Sequence, residues 1–153
     1  MKIYVLHKTA FDEVMRSHNI TMENVESFVG TCFISIVGTL FSNAEVPFFS
    51  FNKSNVIVLR FDDIDHDCMV SGGIAKAMTI EQARELFEFI KRNANKETFI
   101  LHCAAGISRS GAVGYFINEY FGGDWETFKK TNPQVYSNIH VLTLLRKIRA
   151  ENV

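Results

Sequence analysis

Proline is nearly missing from this 153-residue chain, which has two, and tryptophan occurs once. No Pro-, Gly- or Ser-rich linker, repeat or low-complexity tract divides residues 1–153, so they read as one domain. A surplus of either charge is also missing. Sixteen basic residues against 17 acidic ones leave a formal net charge of −1, which excludes a generally basic nucleic-acid binder. Cysteine is scarce: Cys32, Cys68 and Cys103 form no C-x-x-C pair and no zinc spacing, and an odd number suits no disulfide scaffold. That usage points to a reducing, cytoplasmic setting in which a thiolate survives.

Long apolar runs are lacking as well. Ile3-Tyr4-Val5-Leu6 is too short for the core of a signal peptide and reads as a first strand. Ser27 to Ala44 carries no charge, but Gly30, Thr31, Ser35, Gly38, Thr39, Ser42 and Asn43 interrupt it, and the β-branched Ile34, Ile36 and Val37 fit a buried strand better than a membrane span. Asp63, Asp65 and Asp67 satisfy D-x-D-x-D, yet Cys68 takes the place of the turn glycine of a calcium loop and Ile74 that of its closing glutamate. His66, Asp67 and Cys68 have no second cluster at ligand spacing. Neither a metal nor any other cofactor is expected, and nothing specifies an oligomeric state.

What is present is enough apolar residue, 47%, for a substantial core. Thr21 to Glu26 reads as a short helix capped by Thr21, Pro47 to Asn55 as a loop, and Val56 to Phe61 as a strand. Thr79-Ile80-Glu81-Gln82 is a capping box opening a helix that buries Ala83, Leu86, Phe87 and Ile90. Phe99 to Cys103 returns to the sheet. Val113, Phe116, Ile117 and Tyr120 recur at helical spacing, with Gly122 as a left-handed cap. Asp124 caps a short helix that stops at Asn132-Pro133, and Val141, Leu144, Leu145 and Ile148 mark a last one. This pattern predicts an α/β fold: a mainly parallel sheet of four or more strands flanked by helices.

The chemistry lies in His102-Cys103-Ala104-Ala105-Gly106-Ile107-Ser108-Arg109-Ser110, between a strand and a helix. Helix N-termini favour anions through unpaired N–H groups and the positive end of the dipole. A loop of small residues around Gly106 can curl its amides into a nest, so Ala104, Ala105, Gly106, Ile107, Ser108 and Arg109 are candidate phosphate-binding residues. In that field Cys103 is a candidate thiolate nucleophile. Arg109 supplies a planar fork able to hold two phosphoryl oxygens. Ser110 is placed to give its hydroxyl to the sulfur as it leaves, and His102 to orient the loop by hydrogen bonding.

The run HCAAGISRS resembles the HCxxGxxR[ST] signature of the cysteine-dependent protein tyrosine and dual-specificity phosphatase superfamily, and most of all its small dual-specificity and bacterial tyrosine-phosphatase-like members. The resemblance implies hydrolysis of phosphomonoesters through a cysteinyl-phosphate intermediate. Phosphotyrosine in a protein partner is the first expected substrate, with phosphoserine and phosphothreonine also open. Phosphoinositide and RNA 5′-phosphate substrates, and a phosphate-binding pseudophosphatase, are the alternatives. The uncharged Ala104, Ala105 and Ile107 disfavour polyanions.

Such chemistry needs an acid for the leaving oxygen, and the resemblance implies an Asp from the region of Asp62-Asp63-Ile64-Asp65-His66-Asp67. Asp62 and Asp63 are the first residues past the strand, and alternation sends them to opposite sides. Asp63 is the expected acid; Asp62 and Asp65 stay open. The family often has Pro-Asn at the start of its final helix, where this chain has Ser137-Asn138, which leaves a supporting role for Asn138 open. Asp67 to Met78 is longer than the resemblance implies, and Gly72-Gly73 within it suits a loop that closes over substrate.

Overall fold

The computed structural model describes residues 1–40 and 46–152; Ser42, Asn43 and Ala44 of the uncharged stretch therefore lie outside the described residues. Four strands form a wholly parallel sheet in the order β1 (Lys2–His7), β6 (Thr98–Cys103), β2 (Thr31–Val37), β3 (Val56–Arg60). Strands buried on both faces favour near-continuous apolar sequence, which explains why β2 reads as an apolar run rather than an alternation.

The side-chain period of two divides the core. Ile34, Ile36, Ile57, Leu59, Phe99, Leu101 and Cys103 face α2 (Ile80–Arg92), α3 (Arg109–Tyr120) and α5 (Ile139–Glu151). Phe33 and Val56 face the other way, where they pack with Phe11 and Met15 of α1 (Lys8–Ser17) and with Phe49. The α2 capping box forms with both halves, Thr79 Oγ1 accepting from Gln82 N and Gln82 Oε1 from Thr79 N. Such a cap stabilises by about 1 kcal/mol. α4 (Trp125–Thr131) begins at Asp124 and ends at Asn132. Buried Asn132 then acts as a substitute strand for the edge of β1: its carbonyl accepts from Val5 N at 2.8 Å and its amide donates to Ile3 O at 2.9 Å. Among the described residues no helix is long and apolar enough to cross a membrane.

Three stretches differ from the sequence expectations. α1 was not anticipated, although Phe11, Val14 and Met15 have helical spacing; His7 caps it through Nδ1 to Ala10 N. Thr21 to Glu26 is not a regular helix. Thr21 and Asn24 bond reciprocally as a turn, and one 3-10 turn follows over Val25–Ser27. The long stretch after the acidic cluster is a two-stranded antiparallel hairpin, β4 (Cys68–Val70) with β5 (Gly73–Ala75), in which Gly72 and Gly73 make the turn at φ +108° and +139°.

Candidate active site

β6 is an inner strand, and its last residue is Cys103, so the sheet presents this thiol at its carboxyl edge, where open α/β sheets bind ligands. Residues 104–108 then lead into α3. The carbonyls of this loop are tied to the fold: Ala104 O accepts from Lys8 N, Gly106 O from Gln134 Nε2, Ile107 O from Tyr136 N, and Ser108 O from Asn138 N and Ala112 N. Its amides are not. Among the described residues, none of the backbone N–H groups of residues 104–108 makes a hydrogen bond. Ser108, at the N-cap of α3, makes no side-chain cap either. A run of unpaired donors at a helix N-terminus favours an anion. Gly106 makes the geometry possible at φ +70°, where an added Cβ would lie 2.5 Å from the backbone of Leu6 and His7.

Around that loop the candidate residues converge. Ser110 Oγ donates to Cys103 Sγ at 3.0 Å, with both residues buried. Arg109 is 7% exposed, and its Nη1 donates to Phe61 O at 2.9 Å, which ties the end of β3 to the start of α3. His102 faces away from Cys103 by strand alternation. Its Nε2 lies 2.7 Å from Ser35 Oγ, across the sheet in register, and its ring is 4.3 Å from that of Phe11. Burial pushes this imidazole down to about 4, only partly offset by the Cys103 carbonyl, so it is neutral near pH 7.

The acidic cluster resolves into four separate destinations. Asp62 accepts from Thr39 N through Oδ1 and from Thr39 Oγ1 and Lys76 N through Oδ2, so it ties the base of the hairpin to the segment after β2. Burial opposes its ionised form, but those bonds and the Arg109 charge hold its carboxyl below the usual range. Asp65 pairs with His66 Nδ1 at 2.6 Å, and Asp67 accepts from Ala77 N. Asp63 turns toward the loop: its Oδ1 accepts from Ser108 Oγ at 2.7 Å and from Asn138 Nδ2 at 2.9 Å. No hydrogen bond reaches its Oδ2 among the described residues. Nor does any group of three His, Cys, Asp or Glu side chains gather there to hold a metal ion.

Asn138 is defined by the same contacts. Its Oδ1 caps α5 by accepting from Val141 N at 3.1 Å, which directs its amide at Asp63. Gln134, Ser35 and Thr39 were not candidates from sequence, because each acts through a partner more than twenty residues away. Only Asn138 had a local signal, a capping residue just before an apolar-periodic helix.

No protein-family model matches the chain, and no curated protein matches it. Among solved structures, it is similar to the crystal structure of Tk-PTP in the active form, with 15% identity and a TM-score of 0.46 over 85% of this chain and 86% of that one. It is also similar to the crystal structure of human tyrosine phosphatase-like serine/threonine/tyrosine-interacting protein, with 21% identity and a TM-score of 0.48 over 84% and 82%.

Proposed function

We propose that this protein is a metal-free phosphomonoester hydrolase acting on phosphotyrosine in proteins, with phosphoserine and phosphothreonine as further substrates, in a reducing compartment such as the cytoplasm. The observation that carries the reading is the loop after Cys103, whose carbonyls are held by the fold while five consecutive N–H groups are left for an anion. Those amides and the Arg109 guanidinium bind the phosphoryl oxygens, most strongly as charge builds in transfer. Cys103 Sγ attacks phosphorus, and the bond from phosphorus to the leaving oxygen breaks. Asp63 gives that oxygen a proton from Oδ2, the oxygen its two donors leave open. In the second half water attacks phosphorus, Asp63 takes back a proton, and Cys103 departs as a thiolate steadied by Ser110.

The decisive comparison sets Asp62→Ala, Asp63→Ala and Asp65→Ala side by side on phosphotyrosine and on p-nitrophenyl phosphate. General-acid help is worth about 10²- to 10⁴-fold. Asp63→Ala should lose that much on phosphotyrosine and far less on the nitrophenyl ester, whose phenol leaves unaided, and EDTA should change nothing. Wild-type behaviour of Asp63→Ala with leaving-group dependence in Asp62→Ala or Asp65→Ala would move the acid; chelator-sensitive turnover would contradict the metal-free mechanism.

A further inference from the structure

A groove of about 490 Å³ runs beside the Cys103 loop, between α3, α4, α5 and the segment joining the last two. Tyr115, Trp125, Tyr136 and Ile139 line it with Lys129 and Arg146, and no carboxylate does among the described residues. Large apolar side chains on a protein surface are ordinarily scattered. Here three exposed ones gather: Tyr136 is 81% exposed, Ile139 69% and Trp125 46%.

The charge around it is positive although the chain as a whole is slightly acidic. Both charged side chains that line it, Lys129 and Arg146, are basic; Lys129 Nζ donates to Val135 O, and Arg146 shares the carboxylate of Glu119, itself outside the lining, with Arg149. The groove is also continuous with the site. Tyr136 N donates to Ile107 O at 3.0 Å, so one end of the groove begins at the Cys103 loop. Ile139 lines both this groove and the cavity on the Asp65 side. An extended chain rises roughly 3.3 Å per residue, so residues two to four places from an anchored phosphoresidue lie roughly 7 to 13 Å along it, within reach of a groove that starts at the loop.

Resting on the phosphatase reading above, we propose that this groove binds the polypeptide flanking the phosphorylated residue and selects an apolar side chain with an acidic neighbour. Rigid amphipathic rings beside guanidinium groups are the composition of peptide-binding surfaces, and the local positive excess calls for an acidic occupant.

The only tryptophan of the chain, Trp125, lies in the groove, so its fluorescence reports occupancy. The test titrates the Cys103→Ser protein with two phosphotyrosyl peptides, one with Leu and Glu two to four residues from the phosphate and one with Ser and Lys there. Trp125 emission should change with the first peptide, whose Kd should be about five- to tenfold lower, and not with free phosphotyrosine. Tyr136→Ala and Arg146→Gln, added singly, should abolish the preference; the first leaves the Tyr136 backbone bond in place and the second leaves Glu119 its Arg149 partner. Neither should change kcat/KM for p-nitrophenyl phosphate in an otherwise wild-type protein. Equal Kd values, or a preference that survives both substitutions, would overturn the groove. Absent turnover of the nitrophenyl ester would overturn the phosphatase reading, and the titration would still decide the groove.

Discussion

His102 precedes Cys103, yet its ring is held on the opposite face of the sheet, between Ser35 and Phe11, where a proton is costly. These contacts fix the side chain at the end of β6. The folded value, pushed to about 4 by burial, lies below the ordinary 6.5, so the unfolded chain binds more protons between those limits. Stability from His102 is full above pH 6.5 and falls as pH drops through 4. About two and a half units correspond to roughly 3 kcal/mol between pH 7 and pH 4. His102→Gln has nothing to titrate, so urea unfolding should show the wild type losing about that much more than the variant over this interval. Equal losses would mean that the imidazole is not buried as described.

At the scale of elements, the junction of β6 and α3 makes the site, and Gly106 is its narrowest point. A methyl group there meets Leu6 and His7 backbone at 2.5 Å in addition to an unfavourable φ. Gly106→Ala should therefore destabilise by about 3 kcal/mol and weaken vanadate binding, whereas Gly122→Ala, at φ +69° but with nothing within 4 Å, should cost only the backbone term of about 1 kcal/mol. A similar loss in both, by thermal unfolding and vanadate titration, would separate the loop from the close approach. The position of the loop was legible because a short apolar run ends at Cys103 and helical spacing begins after Arg109, both local patterns. So were the helices with caps and periodicity, α2 above all. α1 has no sequence signal at its start, since Lys8 follows β1 with no intervening turn signal, and the two strands of the hairpin, at three residues each, are too short to show a periodicity.

At the scale of the molecule, the candidate machinery comes from three places that only folding brings together: Asp63 after β3, Cys103 to Ser110 between β6 and α3, and the side chains of Gln134 and Asn138 before α5. Arg109 to Phe61 O and Asn138 to Asp63 are the links among them. Alternation past a strand end limits where an Asp points but not what it meets, which is why sequence left Asp62, Asp63 and Asp65 open. The structure separates them by partner: the hairpin base for Asp62, the loop for Asp63, His66 for Asp65. The two faces flanking the loop also differ in charge, acidic beyond β3 and basic with aromatic rings beside α5, a polarity that an overall charge of −1 conceals.

Covalent transfer of phosphate to Cys103 is the centre of this account, and rapid acid quench followed by mass spectrometry of the Cys103 peptide measures it directly. Ser110→Ala removes the hydroxyl 3.0 Å from the sulfur and slows its departure, so phosphocysteine should accumulate toward one equivalent during turnover of a phosphotyrosyl peptide. Phosphate released at the wild-type rate with Cys103 unmodified, or undiminished turnover by Cys103→Ser, would contradict it.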